Sequence, residues 1–299
     1  MLDPFYLCGP TASGKSSCAL ALAKQLDGEI INADAFQIYR GLEVLTAAPN
    51  TAEKAQVPHH LYGTHDLSER FDAARYEKIA RPIIAEIQAR GKVPVIVGGS
   101  GLYLKFLTHG RADAPPGDDA IRAELDCLTV DEIFYRLHKL DPKEAARQNP
   151  KNRRHLSRAL EICLITGDMA SNLRKNFENP AHLTPLRGAV LNWDRDKLAE
   201  RIAQRTSLML EQGAIEEVAN LPQDSGTVRQ AIGVKEIEAH LRGELSRKDC
   251  LERITISTRQ YAKRQRNWFR RETWLTPVDA SGEMTSLLAQ LPQCTPKKE

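Results

Sequence analysis

Two apolar periods alternate along the chain. Short unbroken runs, Phe5-Tyr6-Leu7-Cys8, Glu29-Ile30-Ile31-Asn32-Ala33-Asp34, Val93-Pro94-Val95-Ile96-Val97 and Gly188-Ala189-Val190-Leu191, read as strands. Runs without polar alternation suit strands covered on both faces. Between them the period becomes helical. Ser17 to Leu26 places Leu22 and Leu26 on one face, and Tyr76, Ile79, Ile83 and Ile87 predict an amphipathic helix from about Asp72 to Arg90. Pro82 inside that stretch predicts a kink or two shorter pieces, and Gly91 ends it. Residues 46–65, with Pro49, Pro58 and His59-His60, read mostly as loop. Strands alternating with helices predict an α/β fold, a parallel sheet flanked by helices.

The alternation stops at Pro115-Pro116-Gly117, three breakers in a row. Residues 116–184 are helix-rich and strand-poor. Asp118 to Cys127 is one predicted helix, and Thr129-Val130-Asp131-Glu132 is a capping box for the next. Asp141-Pro142 supplies a cap and a first-turn proline for a third, and His155 to Thr166 makes a fourth, stopped by Gly167. The expected division is an all-helical insertion at 116–184 and a core formed by 1–115 and 185–299. After the strand at Gly188, Asp196 to Gln212 is a helix ended by Gly213, and a short helix follows Arg229-Gln230-Ala231-Ile232-Gly233-Val234.

The first strand runs into Gly9-Pro10-Thr11-Ala12-Ser13-Gly14-Lys15-Ser16, which fits G-x-x-x-x-G-K-[ST]. That pattern between a strand and a helix is a P-loop, so the core is expected to be P-loop NTPase-like. Its glycines let the backbone wrap an anion, and the helix start aims free N–H groups at it. Lys15 adds a positive charge, and the Ser16 hydroxyl is placed to ligate magnesium. Asp34 closes the second strand, at the sheet edge where ligands bind; a helix cap is the other reading. Gly98-Gly99-Ser100-Gly101 is a second glycine-rich strand-to-helix turn. It could admit a ligand closely or simply be a close-packed junction. It lacks the acidic residue that ends many Walker B strands.

Composition narrows the class. The 299 residues are 41% hydrophobic and 27% charged, an ordinary globular balance. No apolar run approaches a membrane span, and residues 1–8 lack signal-peptide features, so a cytoplasmic location is expected. Six cysteines form no C-x-x-C pair, which argues against a zinc module and for free thiols. Net charge is +3, but residues 247–271 carry nine Lys or Arg against Asp249 and Glu252. The helix predicted from about Arg247 to Arg271 has an apolar seam of Leu251, Ile254, Tyr261 and Trp268. Arg259, Lys263, Arg266 and Arg270 form a continuous positive stripe on it, with no acid from Arg253 to Arg271. Such a stripe suits a polyanion. Lys151, Arg153, Arg154 and Arg158 make a second basic rim, which taken alone reads better as solvated surface.

Taken in order, these stretches resemble the tRNA dimethylallyltransferase (tRNA isopentenyltransferase) family, bacterial type. The likeness runs from Gly9 to about Leu275. It rests on the loop at 9–16, on Asp34-Ala35-Phe36-Gln37 with Tyr39 and Gly41, and on Pro58-His59-His60-Leu61. It continues through Gly98-Gly99-Ser100-Gly101-Leu102-Tyr103 and Leu156-Ser157-Arg158-Ala159-Leu160-Glu161. Thr258-Arg259-Gln260-Tyr261-Ala262-Lys263-Arg264-Gln265, with Trp268-Phe269-Arg270-Arg271 after it, completes the series. The resemblance implies transfer of a dimethylallyl group from its diphosphate to the exocyclic amine of adenosine 37 of tRNA, next to the anticodon, in tRNAs reading codons that begin with U. Asp34 is the implied general base. Residues 9–16 and magnesium on Ser16 would hold the leaving diphosphate, and Ser100 and Arg122 fall on positions near the reacting centre. Asp34 to Gln37 would receive the base, flipped from its stack. Arg154, His155, Leu156, Ser157 and Arg158, then Arg229, Gln230 and Gly233, then Thr258 to Gln265, would hold the RNA. A monomer binding the anticodon stem-loop and dimethylallyl diphosphate is expected.

The sequence departs from the family pattern at Ala48, usually Lys; Val234, usually Tyr; His155, usually Arg; and Ser100, usually Thr. Ser100 keeps the hydroxyl. The other three each lose a polar or charged contact, which bears on tRNA affinity more than on reaction type. The bacterial-type resemblance carries the expectation of no zinc finger after the core, unlike in eukaryotic relatives. Other readings of the same residues are a P-loop small-molecule kinase, an adenylate-directed prenyltransferase and a non-catalytic RNA-binding protein. The basic helix disfavours the first two, and the P-loop beside Asp34 disfavours the third.

Overall fold

The computed structural model describes residues 2–110, 114–173 and 186–292. The chain divides into two compact units, Met1–Leu107 with Thr184–Glu299, and Thr108–Leu183. The expected insertion at 116–184 has its last eleven residues outside the described ones.

The larger unit is built on a parallel sheet of six strands. They are β1 (Phe5–Cys8), β2 (Gly28–Asn32), β3 (His59–His60), β4 (Val93–Gly98), β5 (Arg187–Asn192) and β6 (Thr276–Asp279), in the order β3-β2-β4-β1-β5-β6. Successive side chains of β1 enter opposite faces. Phe5 and Leu7 join Ile30, Val95 and Leu191 in one core, while Tyr6 and Cys8 join Ile31, Ile96 and Val190 in the other. Both faces are therefore covered, which is why the strands show no polar alternation. Central β1 lies between β4 and β5, so the chain leaving β1, β2 and β4 emerges at one edge of the sheet.

Three local expectations change. The helix Ala73–Ala89 is one piece despite Pro82. Pro82 and Lys78, whose carbonyl loses its amide partner, are both exposed, so water can replace the missing bond. The 46–65 stretch contains two four-residue helices, Glu43–Thr46 entering it and Thr51–Lys54, and then β3, whose two residues pair with Ile30 and Ile31. The described residues close with an unforeseen edge strand, β6, and the helix Met284–Ala289.

The smaller unit is helical, with Leu125, Ile133, Leu137, Leu156 and Leu160 in one core. Thr129 and Glu132 form the reciprocal capping box, and Asp141 caps Pro142–Arg147 through the Glu144 amide. The fourth helix is Arg153–Thr166, with Gly167 left-handed at φ 68°.

Candidate active site

The loop after β1 is shaped by backbone conformation. Gly14 adopts φ 85° and stands as N-cap of the helix Lys15–Gln25 without any side-chain cap. The first amides of that helix are therefore left for a ligand. Ser13 is buried, and its Oγ has no hydrogen-bond partner. An unpaired buried hydroxyl in a wrapped loop suits the oxygens of a phosphate. Lys15 folds back so that Nζ donates to the Pro10 carbonyl at 2.7 Å. Burial pushes the Lys15 ammonium down to about 8, against the pull of the Asp34 charge.

The helix Arg195–Glu211 grips the loop from outside. Arg205 Nη2 donates to Thr11 Oγ1 at 2.7 Å and Arg201 Nε to the Ala12 carbonyl at 2.9 Å. Trp193 Nε1 donates to the Ser13 carbonyl at 2.9 Å and lies under the Arg201 guanidinium, 4.4 Å from it. Burial lowers the Arg205 pKa, again opposed by Asp34. The sequence reading missed both arginines. Their only mark is the i, i+4 spacing on one helix face, which cannot name a loop nearly two hundred positions away.

Asp34 is held just beyond β2. Its amide donates to Asn32 Oδ1 at 2.8 Å, and its Oδ1 accepts from the Phe36 amide at 3.0 Å. No helix begins at Asp34, so it is not a helix cap: one oxygen closes a local turn instead. Asn32 Nδ2 in turn donates to the Leu61 carbonyl at 2.8 Å, tying this turn to the chain after β3. Gln37 Nε2 donates to the Thr46 and Ala47 carbonyls at 2.9 and 3.1 Å. Glu217 accepts both the Val44 and Leu45 amides at 2.8 Å, which anchors the short helix that carries those carbonyls.

These groups surround one cavity of about 350 Å³, lined by Thr11 to Ser17, Asp34, Gln37, Thr46, Ala47, Tyr62, Gly98, Arg201, Arg205 and Gln265, among others. Lys15, Arg201 and Arg205 face one carboxylate there, a surplus of positive charge that suits a multiply charged anion. Ser16, Asp34 and Gln37 thus meet the loop as expected. Ala35 and Phe36 are half-buried beside them. Among the described residues no group of three or more His, Cys, Asp or Glu could hold a metal ion by itself. Any metal here would lean on the Ser16 hydroxyl and on ligand oxygens.

The second glycine turn proves to be a packing junction. A Cβ on Gly98 would lie 2.1 Å from the Ala33 carbonyl oxygen, one on Gly99 2.1 Å from Gln265 Nε2, and one on Gly101 2.1 Å from Trp268 Nε1. Its glycines make room for neighbouring protein, although Gly98 also borders the cavity. The Ser100 amide donates to the Ala33 carbonyl at 3.2 Å, one residue before Asp34.

The basic helix runs from Arg247 to Phe269, and its buried side is Cys250, Ile254, Thr258, Ala262, Gln265 and Phe269. Of the predicted seam only Ile254 is fully buried; Leu251, Tyr261 and Trp268 are half-buried. The seam is displaced because two polar residues are satisfied inside. Thr258 Oγ1 donates to the Ile254 carbonyl at 2.7 Å, and Gln265 bonds to the loops around the cavity. Arg259, Gln260, Lys263, Arg264, Arg266 and Arg270 are exposed. Arg259, Lys263, Arg266 and Arg270 share with Arg195 a groove of about 960 Å³ that also holds Asp196 and Glu272. In the same unit Arg229 pairs with Glu238 and donates to the Pro222 carbonyl at 3.1 Å. Gln230 is exposed, and Gly233 adopts φ 102° ahead of the buried Val234.

In the helical unit, Arg154 and His155 are exposed and Ser157 is half-buried. Leu156 is fully buried. Arg122 Nε and Arg158 Nη1 lie 2.9 and 2.5 Å from the two oxygens of buried Glu161, which also accepts the Asp118 amide at 2.9 Å. The side chains of Leu156, Thr258 and Ala262 are therefore committed to packing and do not offer RNA contacts.

The IPP transferase family model matches residues 37–272. A tRNA dimethylallyltransferase of Akkermansia muciniphila is 44% identical over 278 residues, covering 92% of this chain and 93% of its own length. That of Geobacter metallireducens is 40% identical, covering 94% of each. The chain belongs to the IPP transferase family. The crystal structure of the tRNA isopentenylpyrophosphate transferase of Bacillus halodurans superposes with a TM-score of 0.69 at 33% identity, over 97% of this chain and 94% of that one. A eukaryotic dimethylallyltransferase captured acting on tRNA gives 0.80 at 28% identity, over 97% of this chain and 77% of that one. The family match starts after the phosphate loop and Asp34.

Proposed function

We propose that this protein transfers the dimethylallyl group of dimethylallyl diphosphate to the exocyclic amine of adenosine 37 in tRNA. The supporting observation is that Asp34 shares one cavity with the phosphate loop, Lys15 and Arg205. A proton acceptor and an anion cradle then face the same space, as attack by an amine and departure of a diphosphate require. In the step, the C–O bond of the donor breaks and diphosphate leaves with the electron pair. The amine nitrogen bonds to the allylic carbon, and its proton passes to Asp34. The loop amides, Ser13 Oγ, Lys15 and Arg205 stabilise charge that grows on the leaving group. Magnesium held by Ser16 would neutralise part of that charge when bound.

The adenine enters beside Asp34, Ala35, Phe36 and Gln37, flipped from its loop, with Ser100 contributing near it and Arg122 supplying a further contact from the helical unit. RNA phosphates lie along Arg259, Gln260, Lys263 and Arg264, with further contacts at Arg154, His155, Ser157, Arg158, Arg229, Gln230 and Gly233. Among the described residues no helix is long and apolar enough to cross a membrane. We place the enzyme in the cytoplasm as a monomer.

The test is incubation with unmodified tRNA, labelled dimethylallyl diphosphate and magnesium, with ATP and a small acceptor in parallel. Label should enter tRNA. Phosphate transfer from ATP without prenylation would select the kinase reading. Asp34→Ala should cut transfer by about 10²–10⁴-fold, the usual worth of a general base, while tRNA binding holds.

A further inference from the structure

Gln265 lies on the basic helix, yet it is only 4% exposed and points inward. Its amide makes two bonds of opposite sense. Nε2 donates to the Gly99 carbonyl at 3.0 Å, and Oε1 accepts the Thr11 amide at 2.8 Å. Thr11 is pinned again at its hydroxyl by Arg205. A continuous series results: Gly99 carbonyl, Gln265 amide, Thr11 amide and hydroxyl, Arg205 guanidinium. One end adjoins Ser100, whose amide holds the Ala33 carbonyl next to Asp34. The other end is the anion cradle.

We propose that Gln265 is a positioning residue that sets the distance between the proton-accepting side of the cavity and the leaving-group side, rather than an RNA contact. The assignment rests on the transferase reading above. A carboxamide meets both demands at any pH, because Gly99 needs a donor and Thr11 an acceptor. The space is closed to adjustment, since even a Cβ on Gly99 would lie 2.1 Å from the Gln265 amide nitrogen. Displacements of about 1 Å at reacting groups cost on the order of 10²-fold in rate.

Gln265→Met fills similar space and makes neither bond. It should lower kcat/KM for the donor by about 10- to 100-fold while the tRNA dissociation constant changes less than about twofold, as for a residue that touches no phosphate. Gln265→Glu is the sharper variant. Ionised, it cannot donate to Gly99 and adds negative charge to the cradle. Protonated, it can again donate and accept. Its activity relative to the unmodified protein should therefore rise as pH falls. Lys15, Asp34, Arg205 and Tyr261 surround Gln265 in both proteins, so the ratio removes their common contribution. Binding of inorganic diphosphate, measured calorimetrically, should weaken in both variants. That readout stands even if the unmodified protein prenylates no tRNA, which would sink the transferase reading alone. Near-normal donor kinetics and diphosphate binding in Gln265→Met would overturn the proposal. So would a Gln265→Glu deficit independent of pH, or tRNA binding weakened as much as donor use.

Discussion

Two glycine-rich strand-to-helix turns in this chain obey different physics. In Gly9–Ser16, Gly14 takes a left-handed backbone, and only Arg201 Nη2 would come within 4 Å of a Cβ there, at 3.8 Å. The glycine serves curvature, and the concavity is left for a ligand. In Gly98–Gly101 none of the glycines has a positive φ, and the room they leave is occupied by Ala33, Gln265 and Trp268. That turn is where the basic helix docks on the sheet. A glycine-rich turn therefore signals close approach, and its neighbours decide whether the visitor is a phosphate or the protein itself.

The largest expected contrast is functional. Lys15→Met should reduce transfer by about 10²–10³-fold, comparable to losing a donor to a developing oxyanion, yet leave the fold intact. Its sign on stability follows from burial. The native ammonium titrates at about 8 against an ordinary 10.5, so between those pH values the unfolded chain binds more protons and stability rises with pH. Below about 8 the buried charge is a burden that methionine removes. Melting at pH 7 should then show a Tm no lower than that of the parent. Donor KM in the parent should climb as pH passes about 8. A variant both inactive and unstable would mean that Lys15 supports the loop structurally.

The second turn should reverse this pattern. Gly101→Val drives a branched side chain into the Trp268 indole, whose nitrogen lies 2.1 Å from the Cβ position. Overpacking of this kind costs about 1–3 kcal/mol, and at this chain length each kcal/mol lowers Tm by roughly 2–4 °C. Trp268→Leu in the same chain should recover part of the loss, a coupling that a double-mutant cycle reads directly. An additive pair would show that the indole is not what Gly101 accommodates.

Much of this was legible because it is local. Strand hydrophobicity, the capping box at Thr129 and the cap and proline at Asp141-Pro142 depend on neighbours a few positions apart, and each lies where its residues indicate. The phosphate loop was legible for the same reason. The parts that escaped depend on distant partners. Arg201 and Arg205 matter because their helix lies against the loop, and Gln265 because the basic helix turns its polar side inward at that residue. β6 was hidden by its content, Thr-Pro-Val-Asp, since a proline argues against a strand unless it lies on an edge. Among the described residues it pairs only with β5, leaving Pro277 at the border of the sheet.

The smallest expected effect separates the two turns most cleanly. Gly14→Ala introduces a Cβ where φ is 85° but nothing crowds it. An L-residue held left-handed costs about 1–2 kcal/mol whatever surrounds it. Chemical denaturation should show that loss, and shortening Arg201, the nearest side chain, should recover none of it. The Gly101 loss, by contrast, should answer to Trp268. Recovery of Gly14→Ala by Arg201→Ala would mean that both turns are steric junctions, and backbone curvature would then no longer explain why the first one stays open.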